Sequence, residues 1–148
     1  PDTVLIPCGG GAGMVAAHDA FREMFAAGVI DRMPRLVGVQ LQACDPTARA
    51  FHEGRDAVTP VDKKPSLSDA IMNNNPYWGR YCLQAVRETG GTMISVSDAD
   101  FIRTIRELGR EEGLFTEPAG SVSVAALRYL VKVLKIRALP SATSPDMG

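Results

Sequence analysis

Hydrophobic and polar positions follow two different periods along this chain, and the changes of period mark out alternating strands and helices. Val4-Leu5-Ile6 is a short apolar run of the kind buried on both faces of a parallel sheet. Helix-forming sequence follows from Val15 to Ala27. Val15, Phe21, Met24 and Phe25 make an irregular apolar face there, and Gly28 supplies a C-terminal stop. Asp31–Arg35 connects to a second apolar strand, Leu36-Val37-Gly38-Val39-Gln40-Leu41. Strand, helix and strand in that order predict a right-handed crossover joining a parallel pair.

The next stretch is less regular. Pro46–Phe51 predicts a short helix with proline at its first position, and Gly54–Pro65, with Pro60 and Lys63-Lys64, an exposed loop. Ser66–Ile71 reads as one helical turn. Asn73-Asn74-Asn75-Pro76 then offers capping residues ahead of a helix over Tyr77–Thr89, which Gly90-Gly91 ends. Thr92-Met93-Ile94-Ser95-Val96 alternates and is β-branched, which predicts a third strand. Ser97 or Asp98 caps the following helix, which carries Phe101, Ile102, Ile105 and Leu108 and stops at Gly113. After the short apolar segment Leu114–Thr116, Glu117-Pro118-Ala119-Gly120-Ser121 opens a last helix whose apolar residues run from Val122 to Leu134. Residues 140–148 lack periodicity and read as a frayed or appended tail. The alternation predicts an α/β fold, a three-layer αβα arrangement with a mostly parallel sheet, spanning residues 1–139 as one domain.

Composition narrows the field. A chain of 148 residues is about one domain by the usual ~100–200 residues per domain. A net charge of −1 leaves no electrostatic footprint for nucleic acid or an anionic membrane, and no apolar run approaches the ~20 residues of a membrane span. Cys8, Cys44 and Cys82 are odd in number and far apart, which suits reduced thiols and a cytoplasmic setting. Cys8 reads as a small core residue closing the first strand. His18 and His52 lack the spacing of zinc ligands, so no metal site is expected, and both read as surface or half-buried side chains. Because the chain opens at Pro1, just ahead of a buried-type strand, further sequence is expected upstream. The first strand would then leave an unpaired edge, which predicts a homodimer or association with the missing N-terminal part.

The candidate chemistry lies between the first strand and the first helix. Gly9-Gly10-Gly11-Ala12-Gly13 places four glycines within five positions. Glycine lets the backbone turn through positive φ and lets an anion reach the peptide N–H groups, while the helix that follows adds free N–H groups and its dipole. These five residues are therefore the candidate phosphate-binding loop; a tight turn without a ligand is the bland alternative. Gly11-Ala12-Gly13-Met14-Val15-Ala16 also fits the dinucleotide pattern G-x-G-x-x-G/A. That pattern needs an acidic residue at the end of the next strand, where this chain has Gln40-Leu41-Gln42.

Four further stretches carry a resemblance. They are Met33-Pro34-Arg35-Leu36-Val37-Gly38-Val39-Gln40, Ala70-Ile71 with Asn75-Pro76-Tyr77-Trp78, Ser97-Asp98, and Arg110-Glu111-Glu112-Gly113-Leu114-Phe115-Thr116-Glu117-Pro118-Ala119. In this order, and after the glycine loop, they resemble the C-terminal portion of the tryptophan-synthase-β-like, fold type II enzymes that use pyridoxal 5'-phosphate, the threonine synthases above all. The resemblance runs from about Leu5 to Lys135. It implies a lyase that takes O-phosphohomoserine and water to threonine and phosphate, with the loop Gly9–Gly13 around the cofactor phosphate and a small phosphorylated amino acid as substrate. The family's cofactor-linking lysine lies in an S-x-K-x-R motif upstream of the glycine loop. This chain contains no such motif, so no catalytic residue is assigned. Lys63, Lys64, Lys132 and Lys135 read as solvated charges. Gly9-Gly10-Gly11 is also nearer the loop of serine or threonine dehydratases, which keeps a dehydratase or a cysteate-synthase-like reaction open. A non-catalytic anion-binding fragment remains the reading outside enzymology.

Overall fold

The computed structural model describes residues 1–133. The end of the last predicted helix, Lys135 and the tail from Pro140 lie outside the described residues. The elements run β1 (Thr3–Pro7), α1 (Ala12–Ala26), β2 (Arg35–Leu41), α2 (Pro46–His52), α3 (Gly79–Glu88), β3 (Thr92–Val96), α4 (Asp98–Glu111) and α5 (Pro118–Val133). The described strands form one parallel sheet in the order β1-β2-β3. Thr3 stands opposite Arg35 and Pro7 opposite Val39, while Val37 pairs with Thr92 and Leu41 with Val96.

Successive β2 residues divide between two cores, as the two-residue period of a strand requires. Val37, Val39 and Leu41 join Ile94, Val96, Phe101, Val122, Ala126 and Leu130 on the face covered by α4 and α5. Leu36 joins Met93, Met14, Ala48, Cys82 and Val86 on the face covered by α1, α2 and α3. The architecture is thus the expected αβα sandwich. Both crossovers run over the same face, as they must when each is right-handed and the strand order advances in one direction.

Glycine permits two close approaches in this sheet. A Cβ on Gly91 would lie 1.9 Å from the Leu36 carbonyl oxygen, and one on Gly38 would lie 2.3 Å from Met93 Sδ. The second contact falls on the face where Cys8 and Met93 pack.

Four expectations need correction. Helix α1 starts at Ala12, so Ala12 and Gly13 already belong to its first turn. Ser66–Ile71 forms bends and turns rather than a helical turn, because Asp98 draws it off. The Asp98 carboxylate accepts the Ser66 hydroxyl at 2.8 Å and the Leu67 N–H at 2.8 Å. Helix α3 begins at Gly79 with Trp78 as its N-cap and no side-chain cap, so the Asn73–Pro76 stretch does not cap it. Asn73 instead accepts the Asn75 N–H at 3.1 Å. His18 is neither on the surface nor half-buried: it is 6% exposed, with Nε2 3.1 Å from a Glu88 oxygen on α3.

Of the two candidate caps for α4, Ser97 takes the role. Its hydroxyl accepts the Asp100 N–H while the Asp100 carboxylate accepts the Ser97 N–H, a reciprocal capping box. Burial opposes the charge on Asp100. The hydroxyls of Ser97 and Tyr129, the Ser97 N–H and the Arg103 guanidinium outweigh it and hold the carboxyl below the ordinary aspartate range. The same bond, donated by Tyr129 at 2.7 Å, ties α5 to the start of α4 and pushes the phenol upward.

Candidate functional site

The five candidate loop residues occupy the C-terminal end of β1, the side of a parallel sheet where ligands of open α/β folds bind. The β1 ladder continues one residue past the strand, with Cys8 N–H donating to the Val39 carbonyl at 2.8 Å. The chain then turns through Gly9 and Gly10. Gly11 sits at φ 93° as the N-cap of α1 and makes no side-chain cap. Such a left-handed turn at a helix start presents successive N–H groups as an anion-binding nest.

The hydrogen bonding of the loop is sparse. None of the N–H groups of Gly9, Gly10, Gly11, Ala12 or Gly13 meets an acceptor among the described residues, and the α1 ladder starts only with Val15 N–H on the Gly11 carbonyl. The first N–H groups of any helix lack intrahelical acceptors, and here Gly9 and Gly10 extend that run of free donors at the positive end of α1. No acidic side chain stands in the first turn of α1 to answer them.

The segment after α2 clasps one side of the loop. Trp78 N–H donates to the Gly10 carbonyl at 3.1 Å. A Cβ on Gly9 would lie 3.3 Å from Ile71 Cα, one on Gly10 would lie 3.3 Å from Asn73 Nδ2, and one on Gly11 would lie 3.2 Å from Trp78 Cβ. At Gly13 nothing stands within 4 Å, so the loop is open on that side. Tyr77, Trp78 and Tyr81 form an aromatic rim, with ring centroids 5.7 and 5.8 Å apart. The resemblance in Ala70–Trp78 was the sequence signal for this clasp.

Cys8 closes β1 as the buried core residue the sequence predicts, with its sulfur 4.0 Å from Cys82 on α3. The hydrogen bond with Cys8 and then burial push the Cys82 thiol far above the ordinary thiol range, so it is an inert core group. Glu117 directly precedes α5, and its carbonyl accepts the Gly120 and Ser121 N–H groups. A cavity of about 680 Å³ lies at the opposite end of the sheet, among Pro1, Asp2, Phe21 and Gly28–Arg32, away from these donors. Among the described residues no three His, Cys, Asp or Glu side chains gather as a metal site, and no helix is long and apolar enough to cross a membrane.

Comparison with known proteins shows the family to which this fold belongs. A family profile described as "Pyridoxal-phosphate dependent enzyme" matches residues 1–139. The chain belongs to this pyridoxal-phosphate-dependent enzyme family. It is 36% identical over 131 residues to a threonine synthase of Methanosarcina acetivorans, an alignment covering 88% of this chain and 32% of that protein. It is also 31% identical over 142 residues to a cysteate synthase of Methanospirillum hungatei, covering 89% of this chain and 34% of that one. The chain therefore spans about a third of the length of these relatives. The crystal structure of a fungal L-serine ammonia-lyase from Rhizomucor miehei shares the fold, with a TM-score of 0.71 at 12% identity over 93% of this chain and 42% of that one. Membership of the pyridoxal-phosphate-dependent family retires the dinucleotide reading of Gly11–Ala16. Gln40, at the end of β2, turns inward to protein atoms and offers nothing to a ribose.

The unanswered N–H groups fit the family's cofactor. A phosphate carries negative charge and acceptor oxygens, and Gly9–Gly13 present donors with no acidic side chain in the first turn of α1 and no Cβ at four of the five positions.

Proposed function

We propose that Gly9, Gly10, Gly11, Ala12 and Gly13 hold the phosphate of pyridoxal 5'-phosphate, and that residues 1–139 form the C-terminal part of a threonine-synthase-like lyase. The observation that carries this reading is the run of N–H groups without acceptors at the start of α1. The likeness to threonine synthases over 88% of the chain supports the choice of reaction: O-phosphohomoserine and water to threonine and phosphate. Bound pyridoxal phosphate supplies an electron sink for carbanion chemistry next to its ring. The loop's share is binding and orientation: the peptide donors fix the phosphate, and the clasp through Ile71, Asn73 and Trp78 holds those donors in place.

No residue of this chain is assigned to proton transfer. Lys63 and Lys64 belong to the exposed loop ahead of Ser66, so the lysine that binds the cofactor aldehyde is expected upstream. The likeness to a cysteate synthase favours one second reading, in which the same cradle serves a β-replacement.

Two measurements test the proposal. The purified protein is treated with one equivalent of pyridoxal phosphate, reduced with borohydride and weighed intact. A longer species carrying one cofactor mass places the lysine upstream, whereas single stoichiometric labelling of this chain overturns that assignment. Formation of threonine from O-phosphohomoserine, set against formation of cysteate, by the chain joined to its upstream sequence, then separates the two reactions.

A further inference from the structure

Gln40 is the one polar residue inside the apolar run of β2, and it is 0% exposed. Burying a primary amide is costly unless both of its ends are satisfied. Both are satisfied here, each by a part of the chain that matters to the loop. Nε2 donates to the Cys8 carbonyl at 3.1 Å, and Oε1 accepts the Ala48 N–H at 2.9 Å. Because Ala48 offers only a donor and Cys8 only an acceptor, the amide has one orientation.

The Ala48 contact fixes the side chain's position. Ala48 lies in the first turn of α2, where N–H groups need outside acceptors. The N-cap residue Asp45 makes no side-chain cap, since its carboxylate is taken by Arg49 at 2.7 Å and by Ser95 at 2.8 Å. Gln40 caps α2 in its place.

The Cys8 contact reaches the loop. The Cys8 carbonyl and the Gly9 N–H belong to one planar trans peptide unit, in which C=O and N–H point in opposite directions. A donor that anchors the Cys8 oxygen therefore aims the Gly9 N–H the other way. Cys8 N–H is already held by Val39, so both backbone polar groups of Cys8 are fixed ahead of the first glycine.

We propose that Gln40 is a positioning residue for the anion cradle: it sets the direction of the Gly9 N–H donor by holding the Cys8 carbonyl. This inference rests on the phosphate-cradle reading above. Glycine alone leaves such a peptide free to flip, and the amide of Gln40 removes that freedom ahead of binding.

The test uses the full chain labelled with ¹³C and ¹⁵N and titrated with inorganic phosphate, followed by amide and carbonyl chemical shifts. In the unaltered chain, phosphate is expected to shift the Gly9 amide together with the Cys8 carbonyl and the Gln40 side-chain amide. Gln40→Met keeps length and bulk but removes both bonds. It is expected to displace the Gly9 amide before any phosphate is added, to leave the Gly13 amide in place, and to weaken phosphate about tenfold. Folded Gln40→Met protein with an unmoved Gly9 amide and unchanged affinity overturns the role of Gln40 alone. No response of the loop amides to phosphate in the unaltered chain overturns the cradle reading as well. Should Gln40→Met not fold, the unaltered chain decides: Cys8 and Gln40 signals that stay still while Gly9 moves overturn the inference.

Discussion

Gly38 and Gly91 both lack a side chain for steric reasons, yet what each would strike differs in kind. The obstruction at Gly38 is the end of a flexible methionine, which has other rotamers, whereas at Gly91 it is the Leu36 backbone carbonyl inside the sheet. Gly38→Ala is therefore expected to cost about 1–3 kcal/mol, as overpacking does, and Gly91→Ala clearly more. Urea denaturation of the two variants checks the order; equal losses would mean that strand β2 and the turn before β3 yield together. Gln40 was visible in the sequence only as a polar interruption of an apolar strand. Its two partners, Cys8 and Ala48, lie 32 positions before it and 8 after, so no local pattern announces them. His18 shows the same limit. It is buried where α1 packs against α3, beside Glu88 a helix and a strand away in the chain, which the periodicity of α1 alone does not contain.

Helices and strands were largely legible because their signals are local. The period of β2, the glycines after α1 and α3, and the capping pair at Ser97 and Asp100 all act within a few residues. The segment Ser66–Trp78 was misread because its conformation is set from outside, by Asp98 and by the glycine loop. The capping box of α4 gives a sharp expectation. Asp100→Ala removes the reciprocal cap and the Tyr129 bond, and is expected to lower stability by about 1–2 kcal/mol at neutral pH. Asp100 has a lowered native pKa, so its contribution is complete above the ordinary aspartate value and lost as pH falls through that value toward the lowered native one. Unfolding curves of the variant and the unaltered chain should therefore converge on acidification. A gap that stays constant with pH would show that the carboxylate's charge is not what stabilises α4.

For the molecule as a whole, the described residues leave the sheet with two open flanks. Among the described residues β1 and β3 each pair on one side only, and Val4, Leu5 and Ile6 of β1 remain partly exposed. A parallel edge with apolar side chains favours a further strand. The chain is accordingly expected to self-associate, or to bind the remainder of its longer relatives' length when that is supplied in trans. Sedimentation velocity reads this directly: a single species of one chain's mass across a concentration series counts against it.

Trp78 has an optical consequence. It is the chain's single tryptophan, its backbone N–H carries the bond to Gly10, and the residue is 40% exposed on the rim of the loop. The protein's one indole thus lies at its candidate binding site, and excitation beyond the tyrosine band reads it alone. Its emission reports loop movement without a label, and an aromatic ligand absorbing in the near ultraviolet will quench it by energy transfer in proportion to occupancy.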